Sequence, residues 1–219
     1  MDAPSILLAS ASPRRRRLLA WLAADYECLS TNTDEDLDSP LRGVPPVLAR
    51  SLAADKARAA RGARPDTALI LAFDTIVVMD RRVLGKPADV EEARTMLESL
   101  SGRVHDVVTG SAFLLAGESE PTTFAVTTPV AMRELDTGAI SDWLAGDEAL
   151  GCAGAYNIER HLATVEQGEC YQNVAGLPLC HLFERLARAG VQGISAPIAE
   201  CEAALGRECP LGRRLCRNR

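Results

Sequence analysis

The stretch "ALILAFDTIVVMDRRVLGKP", residues 68–87, decides how this chain folds. Its apolar run to Met79, rich in Ile and Val, is the strongest strand signal in the sequence. "MDRRVLG", residues 79–85, then reads as a tight hairpin turn. Asp74 interrupts the apolar run. A carboxylate almost never stays buried unpaired, so Asp74 must meet a cation, a metal or hydrogen-bond donors, or face a cleft at a strand end. A structural aspartate bonded to nearby backbone is the plainer alternative.

Working outward, "PVLARSLAADKARAARG" (46–62) has the spacing of an amphipathic helix and carries Lys56. Before it lie an acidic, Pro-rich loop, "TNTDEDLDSPLRGVPP" (31–46), and a short strand, "DYECLS" (25–30). The chain opens with a strand, "SILLA" (5–9), and a helix start, "SASP" (10–13). There Ser12 can cap, Pro13 suits the first turn, and Leu18, Leu19 and Leu22 keep helical spacing. Downstream, "DVEEARTMLESLSG" (89–102) reads as a helix with acids at its N-terminus and a Gly stop. Strands over 104–115 and 122–133 follow, joined by the turn "AGESEP". A short helix capped by Asp136 or Thr137 comes next, then irregular to extended chain over 151–159 and 161–167. A last helix spans 175–190. Strands alternating with helices around a long antiparallel stretch predict an α/β fold with a mixed, twisted sheet. From Val191 the composition shifts to Pro, Cys and Arg with an Ala-rich patch. We expect a domain over 1–190 and a loosely ordered extension over 191–219. Deleting 196–219 is then expected to leave turnover and melting temperature nearly unchanged.

With 219 residues the chain makes one large domain or two small lobes. A net charge of −6 and only 4% aromatics speak against nucleic acid and against an anionic membrane surface. No apolar run approaches the roughly 20 residues of a membrane helix. The opening "MDAPSILLAS" lacks the basic start of a signal peptide, so a cytoplasmic protein is expected. The seven cysteines include no CxxC pair, which removes support for a zinc ribbon or a thioredoxin motif and favours reduced thiols.

Four arginines, Arg14–Arg17, crowd the first helix start, where the helix dipole is already positive. A strand, a small-residue loop and a helix N-terminus make an anion site, and a phosphate would relieve the repulsion. Helical geometry turns four consecutive side chains in different directions, so only one or two can face a ligand. A solvated basic helix face is the alternative. Lys86 sits in "LGKP", which is not a Walker loop because Pro87 stands where Ser or Thr is required. The acids Asp34, Glu35, Asp36 and Asp38 suit a divalent cation sharing a phosphate, or simply a solvated loop. His105 and His161 are candidate general bases; His181 reads as packing or surface, and Trp21 and Trp143 as core or interface. Cys201, Cys209 and Cys216 follow no known metal-site spacing.

Taken together, "LLASASPRRRRLL", "KARAA", "FDTIVV…VLGKP", "EEARTMLESLSGRVHDVVTG", "GCAGAYNIE" and "NVAGLPL" resemble, in this order, the Maf proteins. That family is named for septum formation and acts as nucleoside triphosphate pyrophosphatases. The resemblance runs from about Ile6 to Gly190. It implies two lobes around a central cleft, similar to inosine triphosphatases. It also implies a divalent cation (Mg²⁺, Mn²⁺ or Co²⁺), a nucleoside triphosphate substrate and a homodimer. By motif, Ser10, Arg14 and Arg15 would bind phosphate, and Lys56 and Lys86 the triphosphate from other sides. Asp74 would be the general base, or a metal ligand that orients water, and Glu35 the acid of the preceding loop. Arg16 and Arg17 would be surface residues. The second acid before the Lys56 helix falls at Arg42 or Gly43 here, and Cys152 replaces a common Lys. The specificity positions divide: Glu159 resembles the branch that takes 7-methyl-GTP, while Thr75 after Asp74, "AYNIE" and "NVAGLPL" resemble the dTTP/UTP branch. The expectation is a pyrophosphatase of dTTP, UTP or modified pyrimidine nucleotides. The alternatives are 7-methyl-GTP as substrate, or a non-catalytic nucleotide-binding regulator of division.

Overall fold

A computed structural model describes residues 5–31, 33, 36–37, 39–146 and 148–217. In chain order the elements are β1 (Ile6–Ala9), α1 (Pro13–Leu19), β2 (Glu27–Leu29), α2 (Pro45–Ala63), β3 (Leu69–Met79), β4 (Arg82–Leu84), α3 (Val90–Leu100), β5 (Val104–Leu115), β6 (Thr122–Met132), α4 (Thr137–Leu144), β7 (Ala163–Thr164), α5 (Tyr171–Val174), α6 (Leu179–Arg188), α7 (Ile198–Leu205) and α8 (Pro210–Cys216). The fold is mixed α/β. Along the sheet the strand order is β2-β1-β3-β5-β6-β7, with β4 added to β3. β1, β2 and β3 are parallel; β3, β5, β6 and β7 pair antiparallel in sequence.

The expected helix starts hold at the atomic level. Ser12 caps α1 by accepting from the Arg15 N–H, Pro13 stands at the first turn, and Asp89 and Asp136 cap α3 and α4. The β3–β4 hairpin turns on Asp80 and Arg81, both with positive φ (48° and 64°), the conformation of a two-residue primed turn.

Because side chains alternate along a strand, β3 feeds two cores. Leu69, Leu71, Phe73, Val77 and Met79 join the large cluster formed with α1, α3, α4 and α6. Ile70, Ala72 and Ile76 face α2 instead. By the same alternation Asp74 points towards α2 and Thr75 towards the large cluster's side. No helix among the described residues is long and apolar enough to cross a membrane.

Two expectations change. The helix over 175–190 is not the last one, because α7 and α8 follow. The extension expected to be loosely ordered packs on the body: Cys216 lies in the large core cluster, with Ile198 and Leu215 against it. The Ser195 N–H also donates to the Leu22 carbonyl at 2.8 Å. Its alanines, leucines and cysteines supply apolar faces that the Arg content obscures in the sequence.

Candidate active site

The site begins as a gap in strand pairing. β1 pairs with β3 only as far as Ala9 opposite Ala72, and β4 joins the same edge from Leu84 opposite Val77. Among the described residues, 73–76 of β3 therefore have no strand partner on that edge. The chain leaves β1 at Ser10 and leaves β4 at Gly85, just before Lys86. A cleft of about 850 Å³ opens there, lined by Ser10, Arg14, Arg15, Arg17, Lys56, Lys86 and Glu159. A smaller recess of about 80 Å³ adjoins it, with Asp74, Thr75, Tyr156 and Gly176 in its wall.

On the α2 side, Asp74 is 4% and Lys56 9% exposed, and they form a direct ion pair. This answers the burial question raised by the sequence: a buried carboxylate tolerates low dielectric here because an ammonium meets it. α2 comes close enough to reach because the residue opposite Asp74 on β5 is Gly110. A Cβ there would lie 2.0 Å from the Ala49 carbonyl oxygen of α2.

On the opposite face, Arg15 donates to three groups among the described residues. Its Nη2 donates to Thr75 Oγ1 at 2.9 Å, its Nε to the Gly176 carbonyl at 2.8 Å, and its Nη1 to Ser10 Oγ at 3.4 Å. Thr75 Oγ1 lies 2.9 Å from Thr109 Oγ1, which donates to the Asn173 carbonyl at 2.9 Å. Each hydroxyl has one proton, so the chain runs one way: Arg15 to Thr75, Thr75 to Thr109, Thr109 to Asn173. Asn173 is itself anchored through Nδ2 to the Val107 carbonyl and Thr128 Oγ1, both at 3.0 Å. Gly176 takes φ +97°, a conformation L side chains rarely adopt, and its Cα faces Arg15 Nε and Thr75 Oγ1.

The outer wall is polar. Arg14 Nη1 donates to the buried Cys152 sulfur at 3.1 Å. Arg17 pairs with Glu159, and Arg160 with Glu148, whose second oxygen accepts from Asn157 Nδ2 at 2.9 Å. The Arg160 hydrogen bond, with that from Asn157, holds the Glu148 carboxyl below the usual carboxylate range.

The structure thus brings Ser10, Arg14, Arg15, Lys56, Asp74, Thr75, Lys86 and Glu159 to one cleft. Arg17 is exposed, as expected, and also lines the mouth of the cleft, because positions three apart on a helix share a face with Arg14. Arg16 is exposed. Glu35, with Asp34 and Asp38, lies outside the described residues. Among the described residues no group of three His, Cys, Asp or Glu has the arrangement of a metal site. His105 and His161 do not line the cleft. His105 is buried with Nε2 2.7 Å from the Tyr156 hydroxyl, and burial pushes its pKa down to about 4. His161 closes a 3₁₀ turn with φ 59°. Thr109, Asn173 and the Gly176 carbonyl were missed from the sequence. Only polar positions within apolar strand β5, and an Asn before a Gly-Leu-Pro turn, could have pointed to them.

The chain is 40% identical over 188 residues to the dTTP/UTP pyrophosphatase of Pelotomaculum thermopropionicum, covering 84% of this chain and 96% of that protein. It is 42% identical over 194 residues to the dTTP/UTP pyrophosphatase of Chlorobium luteolum, covering 86% and 98%. With the Myxococcus xanthus protein of the same description the figures are 42% over 195 residues, 87% and 95%. The sequence profile described as "Maf: Maf-like protein" matches residues 5–189, from the first strand through the last helix turn before the tail, and the chain belongs to that family.

Proposed function

We propose that this chain is a nucleoside triphosphate pyrophosphatase whose substrate is dTTP or UTP. The observation that carries the reading is the buried Lys56–Asp74 pair in the open edge of β3, beneath a mouth lined by Arg14, Arg15 and Lys86. The names of the relatives support the substrate class. The reaction adds water across the α–β anhydride and yields the monophosphate and pyrophosphate.

Arg15 is pre-set by three hydrogen bonds, so little reorganisation is needed when an anion arrives. Arg14, Lys86 and the α1 N-terminus supply further positive potential for the phosphates. Asp74 is the carboxylate at the recess and takes the proton of the attacking water or orients it. Lys56 pairs directly with that carboxylate. No covalent nucleophile is required.

The donor set bears on the metal. Among the described residues no three His, Cys, Asp or Glu side chains are grouped to hold a metal ion, and the acids Asp34, Glu35 and Asp38 lie outside those residues. Mg²⁺ entering with the triphosphate does fit, because it is commonly held by one or two carboxylates plus phosphate oxygens. Asp74 would be its protein ligand, with Glu35 the expected second. Such an ion supplies charge neutralisation of the phosphate oxygens. A homodimer, implied by the family resemblance, belongs to the same reading and is read by light scattering.

The test is product analysis with dTTP, UTP, CTP, 7-methyl-GTP, ITP, ATP and GTP, each with Mg²⁺, Mn²⁺ or Co²⁺. Pyrophosphate and a monophosphate from dTTP or UTP is the expected result. Orthophosphate as first product would make the chain a phosphatase. Absence of turnover on all seven by folded protein would leave a nucleotide-binding regulator.

A further inference from the structure

Two bonds orient one edge of the Arg15 guanidinium: Nε to the Gly176 carbonyl and Nη2 to Thr75 Oγ1. Both lead back to a single atom. One arm runs from Thr75 Oγ1 to Thr109 Oγ1 and on to the Asn173 carbonyl, each step 2.9 Å. The other runs through Gly176, whose N–H donates to the same carbonyl at 2.9 Å. A carbonyl oxygen has two lone pairs, and each takes one arm. Arg15, Thr75, Thr109, Asn173 and Gly176 thus close a ring.

Asn173 is firmly seated. It is fully buried, as are Thr109 and Thr128. Its N–H donates to the Cys170 carbonyl at 3.2 Å, and its Nδ2 reaches the Val107 carbonyl on β5 and Thr128 Oγ1 on β6. The amide cannot be turned over. The Val107 carbonyl only accepts, and Thr128 spends its proton on the Cys170 carbonyl. The side chain therefore ties α5 to two strands and holds the Asn173 carbonyl in place. Thr75 spends its own proton on Thr109, so its oxygen accepts from Arg15 and donates nothing to a phosphate.

A hydrogen-bond ring that served stability alone would close on buried groups. This one closes on a guanidinium that lines both the cleft and the recess. Two bonds to one edge of a planar group fix its plane. The Phe73 ring, its centroid 6.0 Å from Arg15 Cζ, supports that plane from the core side.

We propose that Asn173 is a positioning residue for the triphosphate, setting the plane of the Arg15 guanidinium through Thr109 and Gly176 before an anion arrives. It touches no substrate atom. The proposal rests on the reading of Arg15 as a phosphate grip and is independent of Asp74 as the base. An arriving anion meets donors already in place, so the ring acts on affinity.

The experiment compares the full chain with Thr109→Val, Thr109→Ser and Asn173→Ala. Inorganic pyrophosphate is titrated by calorimetry, and KM and kcat are measured with dTTP. Valine keeps the shape of threonine and loses the hydroxyl; serine keeps the hydroxyl and loses the methyl group. Thr109→Val is expected to weaken pyrophosphate binding and raise KM by about 3–10-fold with kcat within about twofold of the parent. Thr109→Ser should stay within about twofold of the parent in all three, because the neutral hydrogen bonds are retained. Asn173→Ala loosens both arms and should weaken binding at least as much as Thr109→Val; should it not fold, the Thr109 pair carries the test. Parent-like binding in Thr109→Val would overturn the proposal. So would a serine variant weaker than the valine variant, which would mark packing as the cause, or a parent chain that does not bind pyrophosphate. A parent that binds pyrophosphate but hydrolyses no triphosphate would remove the catalytic reading alone, and the titrations would still decide the role of Asn173.

Discussion

Asp74 and Thr75 are adjacent in the chain and serve opposite faces of one strand. Asp74 meets Lys56 beneath α2, and Thr75 meets Arg15 beneath α1. One dipeptide therefore couples the proposed base to the proposed phosphate grip. Replacing Asp74 by Asn should keep the far-ultraviolet dichroism and lower turnover by about 10²–10⁴-fold, the range general-base groups contribute. Unchanged pyrophosphate release in that variant would remove Asp74 from the chemistry. His105 is a stability residue by contrast. Folded, it stays neutral down to about pH 4 because it is buried; unfolded, it takes a proton near pH 6.5. Between those values the unfolded state binds more protons, so its contribution is complete above pH 6.5 and falls as the pH drops towards 4, by up to about 3 kcal/mol. Urea midpoints measured from pH 7 to pH 5 should decline less steeply in His105→Gln than in the parent chain.

At the scale of elements, the decisive contact is α2 lying on β3 and β5. α2 is buried along Leu48, Ala49, Leu52, Ala53, Lys56, Ala57 and Ala60, a stripe made largely of alanine. Small residues bring the helix axis close to the sheet, and Gly110 lets the Ala49 carbonyl come closer than any side chain would permit. Gly110→Ala should cost more than about 3 kcal/mol in urea unfolding, because the obstacle is backbone and cannot rotate away. Any variant protein that does fold should show weakened activity as well, since α2 carries Lys56. A Gly110→Ala chain as stable as the parent would mean that α2 sits farther from β5 than described. At the start of α1, by comparison, helical periodicity sorts the arginines: Arg14 and Arg17 face the outer wall, Arg15 turns inward, and Arg16 faces solvent.

The whole molecule extends the sheet domain with a helical tail. α8 packs against α6 and α7 against α8, and Arg207 Nη2 reaches the Val165 carbonyl at 3.3 Å. Deleting 196–219 uncovers the part of the large core cluster that Ile198, Leu215 and Cys216 complete. The melting temperature should fall by about 5–10 °C, given the burial lost and the size of the chain. Turnover at a temperature where both forms are folded should remain, because no described residue beyond Gly176 lines the cleft or the recess. An unchanged melting temperature would return the tail to the loosely attached state expected from its composition.

Much of this architecture was legible in the sequence. Strand runs, caps and turns are local, and their signals lie within a few residues: Ser12 and Pro13 for α1, Asp89 for α3, the apolar run of β3. The isolated carboxylate in that run also announced a partner, since burial of an unpaired charge is too costly. What the sequence could not specify was which partner. Lys56 is 18 residues away on another element, and only the packing of α2 over Gly110 makes it the one. The route from Arg15 through Thr75 and Thr109 to Asn173 likewise joins four separate segments. The meeting of Cys180 of α6 with Cys209 beside Gly212 of α8 also joins the tail, whose composition suggested disorder, to the body. Local physics sets the elements one at a time; the site exists only where distant elements meet, and that meeting depends on the packing of the whole chain.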